Sequence, residues 1–269
     1  MITLKSFGRI AAVAALVFAA VSCNTTSNDS DSDLNLLPVN SVTVDGYKIS
    51  LFAEKALETG ANDLYWKIEQ DGEVVHPQSF SISPMMDMGE MMHSTPFDQP
   101  TTSQEDDQYM QNMAVFIMPG GEMGSWFVEF ELETQTGETI SGNIPIDVAS
   151  SWRLTSVRDS QDRIYFITWY APEKPVSGNN DLTFLVHTRN TMMDFPSVSD
   201  AEMVVYPYMD MGGGSGHSTD FTPPVATGNG FYEGDINYSM SGVWTTSVEL
   251  TIGEETLPEV VFEYSVQAK

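Results

Sequence analysis

Pro84-Met85-Met86-Asp87-Met88-Gly89 and Pro207-Tyr208-Met209-Asp210-Met211-Gly212 are two copies of one phrase, and their recurrence decides how the chain is organised. Each copy runs on to a histidine. His93-Ser94-Thr95-Pro96-Phe97 follows the first, and His217-Ser218-Thr219-Asp220-Phe221 follows the second. Further out, Phe116-Ile117-Met118 aligns with Tyr238-Ser239-Met240, Trp126 with Trp244, and residues 63–69 with residues 181–187. Matches held in order over about 100 residues per copy describe a duplicated domain-sized unit. The units are expected at 41–148 and 151–267, with a short junction between them.

Around the repeated phrases the residues alternate with a period of two, as half-buried strands do. The first copy alternates at 42–51, 64–68, 79–82, 114–117 and 126–132, and the second at 163–170, 182–187, 201–206, 231–238 and 244–252. Asp71-Gly72, Gly120-Gly121, Ser177-Gly178-Asn179-Asn180 and Gly228-Asn229-Gly230 supply turns between them. One short stretch, 53–57, reads as a candidate helix. About seven strands per copy, with turns every 8–12 residues, predict an all-β chain of two tandem immunoglobulin-like β-sandwich domains. The tryptophan at the start of a late strand in each copy is read as a core anchor.

The chain opens with Lys5 and Arg9, then an apolar run from Ile10 to Val21 that is too short to span a bilayer and suits a signal peptide over 1–22. Ala20-Val21-Ser22-Cys23 resembles a lipobox, with Ala20 where leucine is commonest. On that reading Cys23 is lipidated and becomes the mature N-terminus. Residues 23–40 are then the lipidated cysteine and an acidic, disordered tether. The expected location is the bacterial envelope, anchored by lipid to a membrane. Cys23 is the only cysteine, so no intrachain disulfide, thiol nucleophile or cysteine zinc site is available. Eleven basic against 38 acidic residues give a net charge of −27, which repels phosphate backbones and makes nucleic acid an unsuitable partner while attracting cations.

Sixteen methionines are many for this length, and their placement matters more than their number. Met85, Met86, Met88, Met91 and Met92 precede His93 directly, in a stretch broken by Asp87, Gly89 and Glu90. A strand buries alternate residues, so not all of these thioethers can be core. Thioether sulfur is soft and uncharged, suiting Cu(I), Ag(I) and haem iron and not zinc, calcium or magnesium; imidazole is a good companion for copper. A Met-x-Met pair on an extended loop puts both sulfurs on one side, and the histidine can fold back across the glycine turn. Met86, Met88, His93 and Met118 therefore form one candidate copper set, and Met209, Met211, His217 and Met240 the other. The same residues also fit an adaptable protein-binding surface or packing between the domains, and either histidine could simply cap a turn. His76 and His187 do not correspond between copies and read as incidental.

The pattern resembles the YtkA-like domain, which is related to the FixH family. The second copy carries it at Pro207, Met209, Met211, Gly212, His217, Pro223, Gly230, Tyr232, Met240, Gly242 and Trp244. The first carries it at Pro84, Met86, Met88, Gly89, His93, Pro100, Tyr109, Met118, Gly124 and Trp126, with an insertion between Met118 and Trp126. The resemblance implies a small immunoglobulin-like envelope domain found beside copper handling or cytochrome oxidase assembly, and it implies no catalysis. FixH-type proteins carry a transmembrane anchor, where this chain has a lipidation motif.

Three function classes follow. The first is a copper-binding lipoprotein, serving as chaperone, buffer or sensor of Cu(I), with an envelope copper-handling or oxidase-assembly protein as partner. The second is a non-catalytic binding module whose methionine loops touch another protein. The third, an enzyme, finds no support: the sequence has no Gly-x-Ser-x-Gly elbow, no His-Glu-x-x-His and no phosphate loop.

Overall fold

Asp45 and Gly46 both take positive φ, 49° and 84°, and this two-residue turn folds what reads as one alternating strand into a hairpin. The computed structural model describes residues 34–269; the expected signal peptide, Cys23 and most of the tether lie outside the described residues. No helix occurs among the described residues, and the candidate at 53–57 is a bend after a strand.

The first copy contains β1 (Leu37–Val44), β2 (Tyr47–Ala53), β3 (Gly60–Gln70), β4 (Glu73–Val74), β5 (Ser79–Asp87), β6 (Met92–His93), β7 (Thr101–Thr102), β8 (Met110–Phe116), β9 (Ser125–Glu133) and β10 (Thr139–Ile146). The second contains β11 (Leu154–Arg158), β12 (Ile164–Ala171), β13 (Gly178–Thr188), β14 (Ala201–Gly212), β15 (Ser215–His217), β16 (Asp220–Gly228), β17 (Phe231–Tyr238), β18 (Gly242–Ile252), β19 (Glu255–Thr256) and β20 (Val260–Val266). The first strand begins at Leu37, inside the stretch read as tether, because Val39 and Val42 already pack on the core.

In the first copy one sheet runs β1-β2-β3-β8-β7 and the other β10-β9-β5-β6. In the second, β11-β12-β13-β17-β16 faces a sheet in which β18 pairs with β14 and β20, and β14 with β15. The two copies thus share one strand order, and no sheet draws on both. All named pairings are antiparallel. The chain is all-β and folds as two immunoglobulin-like sandwiches.

Each sandwich closes over its own core. Trp66, Phe116, Trp126 and Phe130 lie among the buried aliphatics of the first, and Trp169, Phe184, Trp244 and Phe262 among those of the second. Burial of such rings dominates the stability of a sandwich, at about 1.5–3 kcal/mol for each large side chain. A smaller apolar cluster joins the copies: Ala61 and Val115 of the first pack with Leu185 of the second, beside Met113, Tyr170 and Phe231. Arg153 crosses the same seam to Glu58.

Candidate metal centres

The methionine stretches are only partly loop. Pro84 to Asp87 pair with β9 as the end of β5, Met88 to Met91 form the turn that follows, and Met209 and Met211 lie at the end of β14. Strand alternation therefore governs which way these side chains face. Phe80, Ile82 and Met86 join the core, and Met88, two residues on, packs against it. Gly89 takes φ +87° and donates its N–H to Asp87 Oδ1 at 2.8 Å, and Met88 N–H bonds Met91 O at 2.9 Å. This tight reversal brings His93 directly opposite Met86 in the β5–β6 ladder.

Trp126 is the other cross-strand neighbour of Met86, in the β5–β9 ladder. Its ring meets the His93 ring edge to face at 5.4 Å, and its indole N–H donates to Met118 O at 3.0 Å. Met86, His93 and the Met118 backbone are thus gathered round one tryptophan. Met118, like Met88, is partly buried against the core.

The imidazole is oriented by its own neighbour. His93 Nδ1 lies 2.7 Å from Ser94 O. A carbonyl only accepts, so Nδ1 carries a proton, and in the neutral ring Nε2 presents a lone pair. His93 is 5 % exposed, and Nε2 is buried with no hydrogen-bond partner. An orphaned acceptor of this kind costs roughly 1–3 kcal/mol. A backbone carbonyl fixing Nδ1–H while Nε2 stays free is how metal-binding histidines are oriented.

The second sandwich repeats the arrangement. His217 pairs with Met209 across the β14–β15 ladder. Its Nδ1 donates to Ser218 O at 2.8 Å, and its ring meets Trp244 edge to face at 5.4 Å. Trp244 Nε1 donates to Met240 O at 3.1 Å. The last pair of the β14–β18 ladder is Tyr208 with Thr245, so Met209 and Trp244 are the next residues on their strands. Asp210 accepts from Gly212 N–H at 2.8 Å, as Asp87 does from Gly89.

The two centres differ in access. Met86 is fully buried, whereas Met211 is 59 % and Met240 42 % exposed, and His217 is only half-buried. Met209 packs against the core while Met211 stands at the exposed hairpin. The structure therefore gathers Met209, His217 and the Met240 backbone, and leaves the Met211 side chain in solvent.

Several contributors escaped the sequence reading. Trp126 and Trp244 are core anchors as expected, and they also position the histidines and the Met118 and Met240 backbones. Gly124 and Gly242 stand two residues before these tryptophans. A Cβ on Gly124 would come within 3.1 Å of Met86 Cε, and one on Gly242 within 2.4 Å of Met209 Cε. The recurring His-Ser and Gly-x-Trp pairs were the available signals. Of the histidines read as incidental, His76 is exposed, but His187 is buried with Nδ1 unpartnered.

Among the described residues, no three His, Cys, Asp or Glu side chains converge to hold an ion. The donors that the ladders bring together are soft: one imidazole and the thioether directly opposite it, Met86 or Met209, in each sandwich. They fit a monovalent soft ion such as Cu(I), for which neutral sulfur and nitrogen donors suffice.

Residues 159–249 match the family model described as YtkA-like, so the second sandwich carries a YtkA-like domain. None of the curated proteins matches the chain. Among solved structures, domains 5–6 of the S-layer protein SbsC are 11 % identical, with 86 % of this chain and 99 % of that one covered at a TM-score of 0.33. The D0–D1 domain of intimin is 15 % identical, covering 78 % and 95 %, at a TM-score of 0.23.

Proposed function

We propose that this chain is a lipid-anchored envelope protein that binds Cu(I), one ion per sandwich, as a chaperone, buffer or sensor. The observation that carries the reading is the buried, unpartnered Nε2 of His93, whose residue lies opposite Met86 and against the Trp126 ring, with the same His–Met–Trp arrangement recurring at His217. A buried lone pair without a donor is destabilising unless something accepts it, and a soft cation held also by thioethers would do so. Met86, Met88, His93 and Met118 would hold the first ion, and Met209, Met211, His217 and Met240 the second. Neutral donors around a monovalent ion leave a low-charge centre, which suits partial burial. The envelope setting that the YtkA-like resemblance implies and the lipobox-like Ala20–Cys23 support the location.

No nucleophile–base pair or paired carboxylates accompany these residues, which supports a binding role over catalysis. Titration of the protein with Cu(I) against a competing chelator should give two equivalents. Met209→Leu with His217→Ala should remove one of them, and an unchanged stoichiometry would discard the assignment for the second sandwich.

A second reading has its own support. Val204, Tyr206, Val243 and Val261 are each more than half exposed on the outer face of the β14–β18–β20 sheet. Exposed apolar side chains interspersed with Ser247, Glu249 and Glu263 on one sheet face suit a protein partner. Replacing the set Met86, Met88, Met209 and Met211 by Leu would preserve a partner-binding role and abolish Cu(I) binding.

A further inference from the structure

Four methionines outside both proposed ligand sets are exposed in pairs: Met91 and Met92 in the first sandwich, Met192 and Met193 in the second, all between 37 and 55 %. Exposed methionine gains little from burial and is open to oxidation, so two adjacent pairs at the surface call for another role. The two pairs meet at one corner. Ser94 N–H donates to Met192 O at 2.8 Å across the seam between the sandwiches. Ser94 is the residue whose carbonyl fixes His93, and Met92 lies two residues before it, about 7 Å along an extended chain.

The hairpin that presents Met192 and Met193 is held from within. Asn190 N–H bonds Asp194 O at 3.0 Å, Asn190 Nδ2 bonds Asp194 Oδ2 at 2.9 Å, and Met193 N–H bonds Thr191 Oγ1 at 3.1 Å. Its tip is therefore preorganised beside the turn that carries Met91 and Met92. Asp87, Glu90 and Asp194 stand exposed on the same two turns. In a chain of net charge −27 they draw cations to this corner, and the thioethers select the soft ones.

We propose that Met91, Met92, Met192 and Met193 form an external soft-cation site that straddles the two sandwiches on the outer face of the strand pair carrying His93 and supplies the His93 centre. The destination rests on the Cu(I) reading above; the external site does not.

The test uses Ag(I), a redox-stable soft cation, added as the nitrate to the full-length protein in detergent with 13C-labelled methionine methyl groups. In a His93→Gln variant the four external methyls should shift together with one midpoint. Their failure to move overturns the proposal. In the wild-type background, replacing all four by Leu should remove the external equivalent and slow loading of the buried centre about tenfold, the scale of a lost capture step, with the stoichiometry of the buried centres unchanged. Loading at the wild-type rate also overturns it, and because all four residues are exposed this variant keeps its fold. If Met86 and Met118 do not respond in the wild type while the external methyls still shift, the buried centre is discarded and the external site stands.

Discussion

His93 lies directly across a two-strand ladder from Met86, and both rest on Trp126. The same relationship joins His217 to Met209 beside Trp244. One design is thus present twice, closed in the first sandwich and open in the second. Exchange should follow that difference. Excess chelator added to the Cu(I)-loaded protein should remove metal in two phases of equal amplitude, the faster from the second sandwich. A gap of about tenfold needs only ~1.4 kcal/mol of opening free energy at the buried centre. His217→Ala should delete the fast phase; a single phase in the wild type would show the centres to be equivalent.

The glycines beside the tryptophans offer a sharper contrast. Gly242 has φ +141°, and a Cβ there meets only the methyl end of Met209, which can swing aside. Gly242→Ala should cost about 1 kcal/mol in stability while weakening metal binding by one equivalent. Gly124 has φ +150°, and its Cβ would sit 2.5 Å from the Asp87 carbonyl oxygen, so backbone must move. Gly124→Ala should cost about 2–3 kcal/mol. Thermal unfolding paired with metal titration separates the two; equal loss of stability would contradict the contact geometry.

The sandwich was legible because alternation persists through nearly every strand, and the duplication because the Met-x-Met-Gly and His-Ser-Thr phrases recur in order. The hairpin at Asp45-Gly46 went unread, since alternation continues through it on both sides. Asp87, Gly89 and Glu90 made the methionine stretch look like a loop, whereas cross-strand pairing with β9 carries it to Asp87 as strand. The candidate helix at 53–57 gives way to a strand end and a bend, with Ala53 paired to Leu64 in the sheet and Leu57 O accepting from Ala149 N–H. The histidine and methionine types could be chosen from the repeat. The free Nε2 could not, because it depends on where the next carbonyl points. Nor could Met192, whose approach to Ser94 comes from a contact nearly a hundred residues away in sequence.

That contact between copies has an electrostatic companion. Arg153 is buried and reaches Glu58 Oε1 through Nε at 3.1 Å and Nη2 at 2.7 Å, while Nη2 also donates to Ala61 O at 3.3 Å. Burial alone would raise the Glu58 carboxyl pKa; the hydrogen bond and charge of Lys55, with those of Arg153, outweigh it and hold the group below its ordinary value. Arg153→Met should cost about 2 kcal/mol, less than for a fully sealed pair because Lys55 still faces Glu58. Adding Glu58→Gln should cost less than the two single changes summed. Urea unfolding of the four proteins measures the coupling, and strict additivity would mean that the pair does not tie the sandwiches together.

His187 contributes to the acid response. It lies on β13 opposite Phe166, bridged to Ser197, neither of which titrates. Burial pushes its imidazole pKa down to about 4 from the ordinary 6.5. The fold therefore favours the neutral ring. Above pH 6.5 both folded and unfolded chains hold it neutral, and its contribution is fully present. As pH falls from 6.5 to 4 the unfolded chain takes up the proton first, so stability declines, and below 4 the loss is complete at about 3 kcal/mol. His187→Gln removes the titration. The difference in unfolding free energy between wild type and variant should slope across pH 4–6.5 and be flat on either side. A difference curve flat throughout that window would mean that His187 is solvated in the folded protein.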